Sequence, residues 1–244
     1  MIGCDCSVCR STDPKNRRNR PCAMVTTDGG RVIVIDTPPE LRIIALAHHL
    51  RRIDAVLYTH SHADHIFGMD DLRAFNYLQK SAIPLFGQAD VLDDLRRSFL
   101  YCFVPTQAGG GKPQLVLSDI TAGVPFDLFG VHVRPIAVMH GTLPILSFKL
   151  GEHCAYVTDV SRIPDESLTH LANLDLLFLD AVRYEPHSTH FHLERALQVI
   201  DELKPRRAVL VHLSHDYDHE TVNRSLPDGV ELAYDGLEIE VPNA

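Results

Sequence analysis

Residues 53–65 read IDAVLYTHSHADH, an apolar run that stops at three histidines and an aspartate. Residues 53–59 have the composition of a buried strand. In extended chain the i, i+2 spacing puts His60 and His62 on one side. Asp64 and His65 follow where the chain turns into a helix expected over 64–79, so they reach a second point a short way along. Two ligand arms offset along one loop are what two neighbouring cations require. Neutral imidazole and carboxylate suit zinc, manganese or iron.

The remaining text supplies strands whose ends carry similar residues. Buried-type strands are expected at 32–35, 83–87, 174–180 and 207–212, with shorter ones between 114 and 158 and a final pair around Asp235-Gly236. Helical periodicity covers 40–51, 88–101, 164–172 and 191–203, and 106–114 reads as a loop. Runs of strands mixed with helix–strand alternation give an α/β fold with helices outside the sheets. Asp36, His60, His140, Asp159, Asp180 and His212 all fall at strand C-terminal ends, the edge where α/β architectures build sites.

Composition narrows the function. Fifteen histidines in 244 residues is an excess that metal binding explains. The net charge is -9 and the densest basic stretch is Lys15, Arg17, Arg18 and Arg20, which argues against long nucleic acids. That stretch reads as an exposed charge run. No apolar run approaches a membrane span of about 20 residues. The start carries no charged-then-apolar leader, so a cytoplasmic location is expected. In a reducing compartment the six cysteines favour metal over disulfides. Cys4, Cys6 and Cys9 crowd into GCDCSVC; as three thiols they suit a disulfide knot, a redox pair or a metal clip. Cys22, Cys102 and Cys154 read as small core residues.

An HxHxDH motif after a buried strand resembles the signature of the metallo-β-lactamase fold hydrolases. Later family ligands match in order His140 in VMHGT, Asp159 in AYVTDVS and His212 in AVLVHLSH. The resemblance implies an αββα sandwich forming one hydrolase domain over 1–244. It implies one metal on His60, His62 and His140, a second on Asp64, His65 and His212, and Asp159 between them. Asp36 matches an acidic position that holds a ligand imidazole in its tautomer.

GCDCSVC, THSHADH, HGT, TDVS, THFH and HLSHDYD together resemble the phosphoribosyl cyclic phosphate phosphodiesterases of phosphonate catabolism, over nearly the whole chain. In that group a cysteine loop and a late histidine hold a structural zinc. Here this implies Cys4, Cys6, Cys9 and His215, with the loop spanning 1–22; three thiolates and an imidazole make a closed tetrahedral site. Family members usually begin with a strand and a Gly-Thr-Gly turn, which this sequence lacks. The sheet edge so left would invite a second copy, compatible with a homodimer.

The resemblance places His190 at the family's catalytic histidine, as donor to a phosphoryl oxygen or general acid, alongside Asp64 and Asp159. His187 and His192 have weaker claims. Arg183 suits a substrate phosphate or a carboxylate partner. His48, His49, His132, His153, His170 and His219 read as surface or cap residues. The leading expectation is a dinuclear phosphodiesterase opening a small cyclic phosphate ester, with no membrane partner. Alternatives are a lactone or thioester hydrolase of the same fold, a tRNA-processing nuclease, and, last, a metal-binding module without turnover.

Overall fold

The computed structural model describes residues 1–105, 107 and 111–241, so the loop expected at 106–114 lies partly outside them. The chain divides into two compact units, Arg20–Val124 and Met1–Asn19 with Pro125–Ala244.

The first unit holds a five-stranded sheet in the order β1 (Ala23–Thr26), β2 (Val32–Ile35), β3 (Ala55–Leu57), β4 (Ile83–Gly87), β5 (Leu115–Asp119). β1 joins β2 as an antiparallel hairpin whose turn places Gly30 at φ +70°. The remaining pairs are parallel. Every residue of VIVI and AVL is buried, as parallel strands covered on both faces require. Helices α1 (Leu41–Ala47), α2 (Ala63–Ile66), α3 (Leu72–Gln79), α4 (Ala89–Ser98) and α5 (Leu100–Phe103) complete the unit. Their apolar residues Leu41, Ile66, Leu72, Phe75, Leu92 and Leu95 join Val34, Val56 and Leu85 in one core.

Four helices depart from expectation, one of them in the second unit, where the helix expected over 164–172 covers only Asp165–Leu168. The helix expected over 64–79 breaks at Gly68, where the amide donates to the Thr37 carbonyl at 2.8 Å and an added Cβ would lie 2.1 Å from the Pro38 oxygen. The amide is thus diverted from the helical ladder, and only glycine fits so close to that backbone. The helix expected at 88–101 is interrupted at Phe99 (φ -120°, ψ 42°). The one expected over 40–51 stops early, the chain leaving through His49 at φ +52°.

The second unit holds seven strands in the order β12-β11-β10-β9-β8-β7-β6. They are β6 (Phe126–Leu128), β7 (Val131–His140), β8 (Leu143–Leu150), β9 (Cys154–Val157), β10 (Leu176–Asp180), β11 (Arg207–Val211) and β12 (Val230–Leu232). β6 to β9 form an antiparallel meander, and β9 to β12 pair in parallel. The expected final strand pair is corrected: β12 pairs in parallel with β11, and 237–241 form no strand. Helices α6 (Asp165–Leu168), α7 (Leu193–Leu203) and α8 (His219–Asn223) flank the sheet. α7 buries Ala196, Val199, Ile200 and Leu203, an i, i+3, i+4, i+7 stripe. They pack with Leu177, Leu179, Ala208 and Leu210 of the sheet.

The α/β class and the pair of sheets expected from the resemblance are both present. Among the described residues no helix is long and apolar enough to cross a membrane.

Candidate functional site

In the Arg20–Val124 unit the site residues follow the ends of β2 and β3. Asp36 is fully buried just past β2 and adopts φ +64°. Its carboxylate accepts from the Thr59 amide at 2.9 Å, the Thr59 hydroxyl at 2.8 Å and His65 Nδ1 at 2.7 Å. With its proton spent on Asp36, the Thr59 hydroxyl accepts from His60 Nδ1 at 3.0 Å. One carboxylate thus fixes two imidazoles, each keeping Nε2 for another partner. Burial pushes the Asp36 carboxyl upward, against the pull of His65 and of the Thr59 amide and hydroxyl. His60 Nε2 lies 3.0 Å from His62 Nδ1, and His65 Nε2 lies 3.5 Å from Asp64 Oδ2. The motif thus presents two pairs of ligand-type atoms, one from His60 and His62 and one from Asp64 and His65.

In the other unit His140, Asp159, Asp180 and His212 sit at or just after the ends of β7, β9, β10 and β11. His140 Nδ1 donates to the Thr189 carbonyl at 2.8 Å, which leaves Nε2 as its ligand atom. Thr158 donates to Asp159 Oδ2 at 2.7 Å, while Asp159 Oδ1 lies 3.3 Å from His212 Nε2. His140, Asp159 and His190 present ligand-type atoms within 4.8 Å of one another, and so do Asp180, His190 and His212. Asp159 and His212 share the positive φ of Asp36, at 56° and 57°. Non-glycine residues held there cost about 1–3 kcal/mol each and cluster at functional sites.

His190 sits just before α7. Its Nδ1 donates to Asp180 Oδ2 at 2.9 Å, and its Nε2 lies 3.9 Å from Asp159 Oδ1. Asp180 also accepts from the Val160 amide at 3.0 Å. Burial raises the Asp180 carboxyl, opposed by the bond from His190 and the imidazole of His212. The sequence marked Asp180 only as a strand-end residue; its partner, His190, lies ten positions on in a loop. Gly141 (φ +64°) lets the Thr189 loop approach, since a Cβ there would lie 2.9 Å from Thr189 Cγ2. The Thr189 carbonyl is a backbone contribution that no residue type announces.

The thiol segment belongs to this second unit, and its four expected ligands converge. Cys4, Cys6 and Cys9 Sγ and a His215 nitrogen lie within 4.8 Å of one another. His215 Nδ1 is 3.5 Å from Cys4 Sγ and 3.4 Å from Cys6 Sγ. A tetrahedral zinc with usual bond lengths sets sulfur and nitrogen about 3.5 Å apart, so the set fits that ion. The Cys6 thiol is lowered to about 6, first by His215 and then by the Cys9 amide. The other cysteines behave as core residues: burial pushes Cys22 and Cys154 up to about 12, and Cys102 is buried.

Other expectations are corrected. Arg18 is not part of an exposed run: it donates to the Ser214 carbonyl at 3.0 Å and the Tyr217 carbonyl at 2.8 Å. Asn16 assists, donating to Asp218 at 2.9 Å and accepting from the His219 amide at 2.8 Å. The N-terminal segment thereby braces the loop after His212. Arg183 folds back onto the Glu185 and Pro186 carbonyls, at 3.1 and 2.8 Å, and so shapes its own loop. His219 is buried rather than on the surface, with Nε2 3.3 Å from the Leu232 oxygen.

A profile of the beta-lactamase superfamily domain matches residues 31–213. A crystal structure described as a new diphosphatase from the PhnP family is 40% identical, with a TM-score of 0.89, covering 97% of this chain and 89% of that one. An octanoyltransferase of Porphyromonas gingivalis is 37% identical over 239 residues, 97% of this chain. The chain spans 48% of that relative's length. Zinc-bound PqqB from Methylobacterium extorquens shares the fold at 18% identity and a TM-score of 0.77, covering 98% of this chain and 95% of that one.

Proposed function

The chain belongs to the beta-lactamase superfamily, close to its PhnP family; from this premise we propose that it is a metal-dependent hydrolase of a small phosphate ester, a cyclic phosphodiester such as a phosphoribosyl cyclic phosphate being the leading candidate. His60, His62 and His140 would hold one divalent ion and Asp64, His65 and His212 a second, with Asp159 shared. When bound, such ions supply Lewis-acid charge that activates water and neutralises phosphoryl oxygens.

The observation that carries the reading is His190 on Asp180. Asp180 keeps the proton on Nδ1 and steadies positive charge on the ring, so Nε2 can carry a proton to a departing oxygen. That service matters most when the leaving group is a poor one. An alkoxide needs the proton, whereas a thiolate, whose parent thiol has a pKa of about 8.5, departs without it. A phosphate oxyester therefore uses this pair more fully than a thioester does. The PhnP-family relative, a diphosphatase, supports phosphorus as the reaction centre.

The octanoyltransferase relative favours a second reading, a hydrolase of an acyl ester or thioester. The chain spans only about half of that protein, so its activity can reside in the other half. Initial rates of the metal-loaded enzyme on a cyclic phosphodiester, a dinucleoside diphosphate, a lactone and an octanoyl thioester separate the two. Turnover of a phosphate ester with little on the acyl compounds is expected; turnover of the acyl compounds alone would overturn the reading.

A further inference from the structure

We propose that His187 is a substrate-binding residue whose Nε2–H donates to a phosphoryl oxygen beside His190. The proposal rests on the phosphate-ester reading above. The Thr189 backbone amide donates to His187 Nδ1 at 3.2 Å. A backbone N–H can only donate, so Nδ1 must present its lone pair and the ring proton must sit on Nε2. Thr189 Oγ1 lies 3.2 Å from the same nitrogen and can donate there as well; a second ring proton would set two N–H groups against each other at the amide and cost this bond.

His190 has the opposite arrangement. Its Nδ1 carries the proton because Asp180 accepts it, so the Nε2 atoms of the two rings differ in kind. The ring centroids are 5.0 Å apart and the planes meet at 68°. Burial lowers the His187 imidazole from its usual value, reinforced by His190, Arg183 and His212. The Thr189 carbonyl holds His140 at 2.8 Å, so one short loop segment fixes the His140 ring through its oxygen and the His187 ring through its nitrogen. A phosphoryl group has several oxygens that need donors, and a neutral donor serves one without competing for the proton that His190 delivers.

The tautomer is read directly by long-range proton–nitrogen correlation of the imidazole rings in the zinc-loaded wild-type protein at neutral pH. An unprotonated Nδ1 and protonated Nε2 at His187 are expected; the reverse tautomer, or a charged ring, would overturn the proposal. The second arm compares His187→Gln and His187→Leu at matched thermal stability and metal content. Glutamine can accept from the Thr189 amide and still offer N–H near the Nε2 position. The leucine variant should lose roughly 10²-fold in kcat/KM on a phosphate ester, the scale for removing one oxyanion donor, and should weaken competitive inhibition by inorganic phosphate. Glutamine should recover most of both. Equal losses in the two variants, or none in the leucine variant, would overturn it. Failure of the underlying reading looks different: the wild-type enzyme would hydrolyse none of the phosphate esters.

Discussion

Asp36 and Asp180 are both fully buried, both sit at the end of a strand, and both hold a histidine through Nδ1 at 2.7 and 2.9 Å. They differ in what else they hold. Asp36 collects three donors and extends its grip through Thr59 to His60, so it orients two imidazoles of the HxHxDH motif. It does so from a left-handed backbone conformation. Asp180 is the last residue of β10, takes one backbone amide, and steadies one imidazole, His190. Under the proposed function the same carboxylate–imidazole pair would serve two purposes: in one unit it would aim groups meant for a metal, and in the other a group meant for a proton.

The sharpest way to break the comparison is to remove a group that Asp36 does not hold. His62→Ala should abolish hydrolysis and lower metal content, measured by elemental analysis; a fully active variant would dismiss His62 as a ligand. His190→Ala should reduce kcat by about 10²–10⁴-fold and leave metal content intact. Cys6→Ser acts away from both aspartates. It should lower thermal stability and zinc content while leaving the histidine cluster loaded; an unchanged melting point and zinc count would show that the thiols are no clip. Arg18→Met should be mildest, at about 1–3 kcal/mol for carbonyls stripped of a buried partner, with faster hydrogen exchange in the loop 213–218.

The comparison also shows what a sequence discloses. The central strands were legible because buried parallel strands are continuous apolar runs; VIVI at 32–35 matches β2 residue for residue. β1 was not, since its half-exposed AMVT carries no strong pattern. Helical periodicity runs on through Gly68, but there the amide bonds the Thr37 carbonyl, thirty-one positions earlier, instead of continuing the helix. Ligand-type residues at strand ends could be found because few other purposes gather histidine and aspartate there. Their support could not. Nothing local in Arg18 or Asn16 says that they reach the loop after His212. The tautomer of His140 depends on the backbone carbonyl of Thr189, and that of His187 on the Thr189 amide and hydroxyl, contacts made through the fold that no local pattern announces.

The most direct test of the division of labour is to measure metal affinity and kcat side by side in Asp36→Asn and Asp180→Asn. Loss of a carboxylate that orients a ligand imidazole costs about 10–100-fold in metal affinity or activity. The account predicts that Asp36→Asn pays this in metal affinity. Asp180→Asn should keep its metal and lose kcat, with a shifted pH profile. Equal metal loss in both variants, or unchanged metal affinity in Asp36→Asn, would contradict it.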